Sequence, residues 1–424
     1  MPPLGLGLGL GITHTLGGGG GVPFTVDTGL INWGDSYGNT LRSRSMVLGD
    51  NGKLYSAPYR VSDLFEIDPA DDSVTLHDTD GIDLQEKRWL DGLQHPTNGK
   101  AYFGHVGALD MLTVDTSSPA ITLSNVPTGG VANFRGVAHS PITDYIYLPR
   151  FNSITSFGQI NAATDDVTGG SAPWPLVQTG EVWTVNGTPS PAQTTALTRQ
   201  WGITYAPNSK KVYGTPYGGD RVAIYNTDTS TGSMSVNTID GGLPLPTNNS
   251  ETGSAYFSKY SGRGVYLDRS AESTNVGHWI YIMPREGNTI LKIDTETDFC
   301  YEIPIPQILQ DETKDRSMSA VLGPDGFIYS TPWAMPYIFR INPVNDSISY
   351  FYVGDLMIAD NGYDNDINGG NGWWTYGEAA GDWIYYACGG AKKFLKIRVL
   401  EAPASVLTYA GQDLTYAGQT LTYN

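Results

Sequence analysis

The chain has 424 residues, 40% of them hydrophobic and 16% charged, with 25 Lys and Arg against 43 Asp and Glu. A net charge of −18 excludes nucleic acid as a main partner, and no apolar run of about 18 residues offers a membrane-spanning helix. The 52 glycines and 26 prolines punctuate many turns, and 26 tyrosines with 10 tryptophans suit half-exposed sheet.

The opening "MPPLGLGLGLGITHTLGGGGG" alternates Leu with Gly and then becomes a glycine run. It lacks the basic start of a secretory leader, and alternating glycine is a poor helix former. Residues 1–21 are therefore expected to be a flexible peptide that orders only against a partner. "VPFTVDTGLIN" (22–32) follows and reads as a strand.

A repeat then runs through the chain, most visible at its tyrosines. "NGKLYSAP", "NGKAYFGH", "TDYIYLPR", "NSKKVYGTP", "GHWIYIMP", "PDGFIYSTP" and "GDWIYYAC" each place a polar turn before a short β-branched and aromatic run. The equivalent tyrosines are Tyr55, Tyr102, Tyr147, Tyr213, Tyr281, Tyr329 and Tyr385. Thirteen residues on stands Asp68, Asp115, Asn226, Asp294 or Asn342; Asn161 comes at fourteen, and Arg398 takes the place in the seventh unit. A small apolar segment precedes each turn ("RSMVLGD", "FRGVAHS", "QWGITYA", "SMSAVLG"), as an inner strand beside a crowded axis requires. An "LFEID" or "ILKID" strand and an edge strand such as "SVTLHD" complete the unit. Units of about four strands with almost no helical periodicity predict an all-β fold, a seven-bladed β-propeller with extended N- and C-terminal peptides. The ring would span 22–402, with 22–32 as the outer strand that the last unit lacks, since "FLKIRVLEA" runs into Pro403. Cys300 and Cys388 fall in units five and seven, which are not neighbours, so no disulfide is expected.

The starts of the inner strands carry the most informative pattern. Arg44, Arg88, Arg135, Arg199, Arg263 and Arg316 recur there in the first six units, out of only 14 arginines, and Trp373 with Trp374 takes the place in the seventh. Inner strands line the channel, so these side chains would ring one mouth. Two readings stand: a funnel for carboxylate, sulfate or phosphate, or a repeated bridge from each guanidinium to the next blade. Trp89, Trp201 and Trp373 lie beside the ring and are candidates to stack on sugars. Insertions at 170–198, 241–258 and 354–372 fall on the same face, which marks it as the binding face. The first brings Trp174 and Trp183. In the last, "DNDINGGNG" opens like a calcium loop, with Asp364, Asp366 and Asn368 alternating before Gly369. Thr375 stands where a bidentate glutamate belongs, so the motif supports a looser structural calcium site or an Asx-turn loop. No other cofactor is implied.

For catalysis the sequence offers little. No G-x-S-x-G, H-E-x-x-H or phosphate-cradling glycine loop occurs, and His14, His77, His95, His105, His139 and His278 show no recurrent pairing. Asp91 and Glu378 fall on inner strands. The expectation is a non-enzyme.

The chain closes on "VLTYAGQDLTYAGQTLTYN", a seven-residue repeat with Leu407, Leu414 and Leu421 in register; each "LTY" reads as a strand and each "AGQ" as a turn. That is too little to fold alone. The Gly–Leu opening and this 403–424 tail resemble the terminal peptides of tailed-bacteriophage structural proteins. The resemblance covers about 40 residues and implies a virion protein tied into the particle at both ends. It would be oligomeric there, with other virion proteins as partners, and would display its propeller face to a host-surface glycan as an attachment or decoration protein. A polysaccharide-active propeller enzyme and a secreted cell-surface binding module are the alternatives.

Overall fold

A computed structural model describes residues 24–33, 42–79, 89–106, 110–118, 120–127, 134–149, 157–167, 183–185, 188–190, 199–217, 221–227, 233–238, 260, 262–310, 316–359, 373–401, 408–409, 412–416 and 419–422. These form seven four-stranded antiparallel sheets, the blades of a β-propeller. In blade 1 the strands run, from the axis outward, Val47–Leu48, Leu54–Ser56, Asp63–Asp68 and Ser73–Asp78. The inner strands of blades 2 to 7 are Trp89–Gln94, Ala138–Ser140, Arg199–Ala206, Val265–Asp268, Ala320–Leu322 and Gly377–Ala380. In the seventh sheet the order is Gly377–Ala380, Trp383–Tyr386, Phe394–Glu401, Phe24–Ile31.

The repeat residues build one contact several times. Asp68, Asp115, Asn161, Asp294 and Asn342 end the third strand of their blades, and each side chain accepts the N–H two residues on at 2.9–3.0 Å. These are Asx turns that start the outer hairpin. Four residues further, Asp72, Asp165, Asp298 and Asp346 take φ of 57–61°, a conformation that Asp tolerates. Three of them then receive the repeat tyrosine of the preceding blade: Tyr102 donates to Asp165 at 2.7 Å, Tyr213 to Asp298 at 2.6 Å and Tyr281 to Asp346 at 2.7 Å. The second carboxylate oxygen pairs with Lys100, Lys211 or Lys292. Apolar clusters fill the spaces between blades, as where Val222 and Ile224 of blade 4 meet Ile280 and Leu291 of blade 5.

Near the axis the backbones touch. Gly136, Gly202 and Gly262 sit beside Arg135, Trp201 and Arg263; a Cβ on Gly202 would overlap the Gly262 carbonyl, and one on Gly262 the Met318 carbonyl. Gly262 has φ of +71°, which also favours glycine.

Two compact units divide the chain, residues 30–395 and residues 1–29 with 396–424. In the second, Asp27 and Arg398 form an ion pair at 2.7 Å. There too Thr408–Tyr409, Gln412–Tyr416 and Gln419–Thr422 make an antiparallel sheet, with Leu414 opposite Leu421. Both cysteines are buried, and neither forms a disulfide among the described residues. No helix among the described residues is long and apolar enough to cross a membrane.

Candidate functional site

Two β-bulges shape the channel mouth. Pairing in blade 2 skips from Leu90 to Gly92 and in blade 4 from Gln200 to Gly202, which leaves Asp91 and Trp201 outside their ladders. Bulges re-aim side chains in this way beside functional sites. Asp91, at φ of +46°, is held by its own N–H to the Arg44 carbonyl at 3.3 Å, while Oδ1 accepts from Gly92 N at 2.9 Å. Its Oδ2 is buried and has no hydrogen bond among the described residues. Burial pushes the Asp91 carboxyl up to about 6, against the opposing pull of Arg263.

Arg263 reaches from blade 5 across the axis. One nitrogen donates to the Gly92 carbonyl of blade 2 at 2.9 Å and another to Glu378 of blade 7 at 3.1 Å. Asp91, Arg263 and Glu378 thus close the channel as a mixed-charge plug.

Around them lies an aromatic and cationic rim. The Arg44 guanidinium lies 4.5 Å from the Tyr59 ring centroid and 4.8 Å from that of Trp333. Arg135 lies 4.1 Å and Arg285 4.8 Å from the Trp201 centroid, and Trp201 packs on Met318 and Trp333. Arg44 is only 8% exposed, its Nε is buried, and its guanidinium has no hydrogen bond or ion pair among the described residues. Its strongest electrostatic neighbours are Tyr59, Arg285, Tyr376 and Arg60, none a carboxylate. Burial above all, then the nearby cations, holds it below the usual arginine range. Tyr376 is buried nearby.

The sequence-predicted residues divide accordingly. Arg44, Arg135, Arg263 and Trp201 meet at the mouth. Arg316 does not: its three nitrogens donate to the carbonyls of Leu309, Glu286 and Gln310 at 2.7–2.9 Å, an architectural bridge between blades 5 and 6. Trp89 is corrected from a sugar platform, and Trp374 from a residue of the binding mouth, to core residues. Both are fully buried, and their ring nitrogens donate to the carbonyls of Asp110 and Lys393. Trp373 is half-buried against Trp374. Arg199 opens its blade's inner strand. Arg88 and the calcium-loop residues Asp364, Asp366 and Asn368 lie outside the described residues. Tyr59, Arg285 and Trp333 were missed, yet each stands four residues after a repeat tyrosine, at Tyr55, Tyr281 and Tyr329. Reading the loop after the second strand in the same register would have found them. Among the described residues one set is spaced for a metal ion, His95, His139 and Asp144 at the channel's far end.

No protein-family model and no curated protein matches the sequence. Solved structures do. A catalytically inactive virginiamycin B lyase from Staphylococcus aureus with quinupristin is similar at TM-score 0.57 and 13% identity, over 88% of this chain and 99% of that one. A streptogramin B lyase is similar at TM-score 0.56 and 14% identity, over 88% and 98%. These are enzymes, and the expectation of a non-enzyme is corrected on that ground, because chains of this architecture and nearly this extent carry catalysis. At such identities the likeness shows the fold alone: this chain has the seven-bladed β-propeller fold.

Proposed function

We propose that the propeller is a recognition protein that takes an acidic, ring-bearing ligand, a uronate or sulfated glycan, at its axial mouth. One observation carries this reading: Arg44, a nearly buried guanidinium stacked between two aromatic rings with no carboxylate among its strongest described neighbours. A buried cation without a counter-charge is costly, and an anion arriving at the mouth supplies the missing partner. Trp201 and Trp333 offer faces beside it, and guanidinium forks suit planar oxyanions. The terminal peptides support a setting for this recognition, attachment of a tailed-phage particle to an acidic host-surface glycan.

Calorimetry with a hexuronate oligosaccharide tests the reading. Binding should weaken with added salt and fall about tenfold or more in Arg44→Met, a loss of roughly 1.4 kcal/mol. The same variant should be more stable than wild type without ligand, by about 1–3 kcal/mol, because it removes a buried charge that has no counter-charge among the described residues. Wild-type affinity in Arg44→Met would overturn the site. For the setting, a chain lacking 1–21 and 403–424 should fail to enter particles.

Asp91 favours a second reading, cleavage of the bound glycan, since a carboxyl at about 6 with an unengaged oxygen is suited to proton transfer near neutral pH. Release of unsaturated or shortened oligosaccharides by wild type but not Asp91→Asn would support it.

A further inference from the structure

At the far end of the channel, the inner strands of blades 2, 3 and 4 line an open cavity of about 170 Å³. Leu93, His139, Ile203 and Tyr205 wall it, and Arg263 borders it from blade 5. Space of this size admits one small ring system. The Tyr205 hydroxyl is buried and has no hydrogen bond among the described residues. His139 is the middle residue of the blade 3 inner strand, and Asp144 stands in the turn that follows it at φ of +54°. His95 comes from the end of the neighbouring blade 2 strand, its ring centroid 4.2 Å from that of His139.

Hydrogen bonds fix where the protons are. His95 Nδ1 faces two backbone donors, Thr97 N at 3.3 Å and Asn98 N at 3.2 Å, so this nitrogen is an acceptor. The His95 proton is therefore on Nε2, which donates to Asp144 Oδ1 at 3.0 Å. This pattern disfavours a metal, although the three ligand atoms lie within 4.8 Å of one another. A ligating imidazole donates from its other nitrogen to an outer acceptor, and here that nitrogen meets two donors.

Asp144 Oδ1 lies 3.2 Å from His139 Nε2 as well. A carboxylate only accepts, so Nε2 of His139 carries the proton and Nδ1 keeps its lone pair. That lone pair has no hydrogen bond among the described residues. The arrangement is an oriented base: a carboxylate fixes the tautomer of a histidine whose other nitrogen is left for a substrate.

We propose that His139 Nδ1 is a general base for a small, planar carbon acid bound in this cavity, with Asp144 and His95 positioning it and the Tyr205 hydroxyl donating to the oxyanion that develops. In the step, the substrate C–H bond breaks and its proton bonds to Nδ1. The electron pair passes into the substrate toward an electronegative atom, which accepts the hydrogen bond from Tyr205. The cavity lies toward the other end of the same strands from the axial mouth and shares Arg263 with it.

A nitrobenzisoxazole is a direct probe, because it needs nothing but a base in a small cavity. Nδ1 removes the ring C–H proton, that electron pair forms the third bond of a nitrile, the N–O bond breaks, and its pair remains on a coloured phenolate. The full chain should accelerate the reaction about 100-fold or more over free imidazole, and His139→Gln should abolish the gain. Tyr205→Phe should retain part of it. His95, Asp144, Tyr205 and Arg263 are the titratable or charged groups facing His139. Burial first, and the neighbouring His95 next, lowers its pKa against the opposing pull of Asp144. The rate should therefore be constant from neutral pH down to the lower edge of the imidazole range, then fall as the base is protonated.

Three results would overturn the proposal: a wild-type rate at background, an undiminished rate in His139→Gln, or a rate lost to a chelator and restored by zinc. Should His139→Gln fail to fold, nitrogen-15 chemical shifts of the wild-type histidines decide. A proton on Nε2 of both rings is expected, and a proton on Nδ1 of His139 would refute the base.

Discussion

Asp91 shows how a single backbone irregularity sets the chemistry of the mouth. The bulge at Leu90/Gly92 turns its side chain out of the ladder and into a buried, cation-flanked position, and burial lifts its carboxyl to about 6 from the ordinary 3.8. Its folded-state pKa is raised, so the fold holds the proton more tightly than the unfolded chain does. The resulting stability is present below about pH 4 and is lost as pH rises through about 6, by roughly 3 kcal/mol in all. Asp91→Asn keeps the left-handed backbone, which Asn also tolerates, and removes the titration. Denaturant unfolding from pH 4 to 7 should therefore show the variant gaining on wild type by about that amount, and parallel curves would mean that Asp91 is ionised throughout. Composition announces none of this. Asp91 reads in the sequence as one acidic residue on an inner strand, and the bulge that makes it unusual leaves no trace in the "RWLDGLQ" pattern beyond Gly92. Trp89, two residues earlier, misleads for the same reason: an aromatic residue beside an arginine looks like a platform, and only the strand's facing shows that it is core. His95 and His139 were invisible as a pair because they come from adjacent blades and stand 44 positions apart in the sequence.

Between blades, the repeat tyrosine acts as a latch, and this much was legible. A tyrosine at fixed distance from an Asp or Asn, with turn residues on both sides, encodes a hairpin and its exit turn before any contact is known. The partner was less legible, because the tyrosine meets the aspartate of the next unit rather than its own. Tyr213 and Tyr281 test the latch. Each hydroxyl is mostly enclosed and donates to a carboxylate that also binds a lysine, so Tyr→Phe leaves Asp298 or Asp346 short of one donor. Each change should cost about 1–3 kcal/mol in denaturant unfolding. Because the latches join different pairs of blades, the double variant should be additive within about 0.5 kcal/mol. A cost below about 0.3 kcal/mol for both would reduce the latch to packing. The axial glycines are a second element-level device. Gly262→Ala combines a φ of +71° with overlap of the Met318 carbonyl, so soluble yield should collapse, whereas Gly52→Ala at φ of +79°, with nothing within 4 Å, should cost only about 1 kcal/mol of backbone strain.

For the molecule as a whole, the weak point of any ring of blades is its seam. Residues 30–395 hold an aromatic contact across it: the Trp33 ring lies 5.0 Å from Phe65 of blade 1, and Phe65 lies 5.4 Å from Phe394 of blade 7, both edge-on. Arg42 stacks toward Trp33 at 5.8 Å, and its guanidinium donates to the Ala391 carbonyl at 3.3 Å. Residues more than 300 positions apart thus share one apolar contact, and no other inter-blade cluster joins segments so distant in sequence among those described. Trp33 is 8% exposed and Phe65 fully buried, so truncating either removes about the burial of a whole aromatic side chain. Trp33→Ala should cost roughly 3–5 kcal/mol. The double variant with Phe65→Ala should fall short of the sum, because the two rings contact each other and one deletion already removes part of the other's packing. Phe299→Ala is the control: that ring is 41% exposed in an outer turn of blade 5 and should matter by less than about 1 kcal/mol. If the seam joins the ring into one cooperative unit, wild type should melt in a single transition. Trp33→Ala should then broaden it or split off an early phase carrying blades 1 and 7, which hydrogen exchange would locate. A sharp, unshifted transition in Trp33→Ala would show that the blades hold together without it.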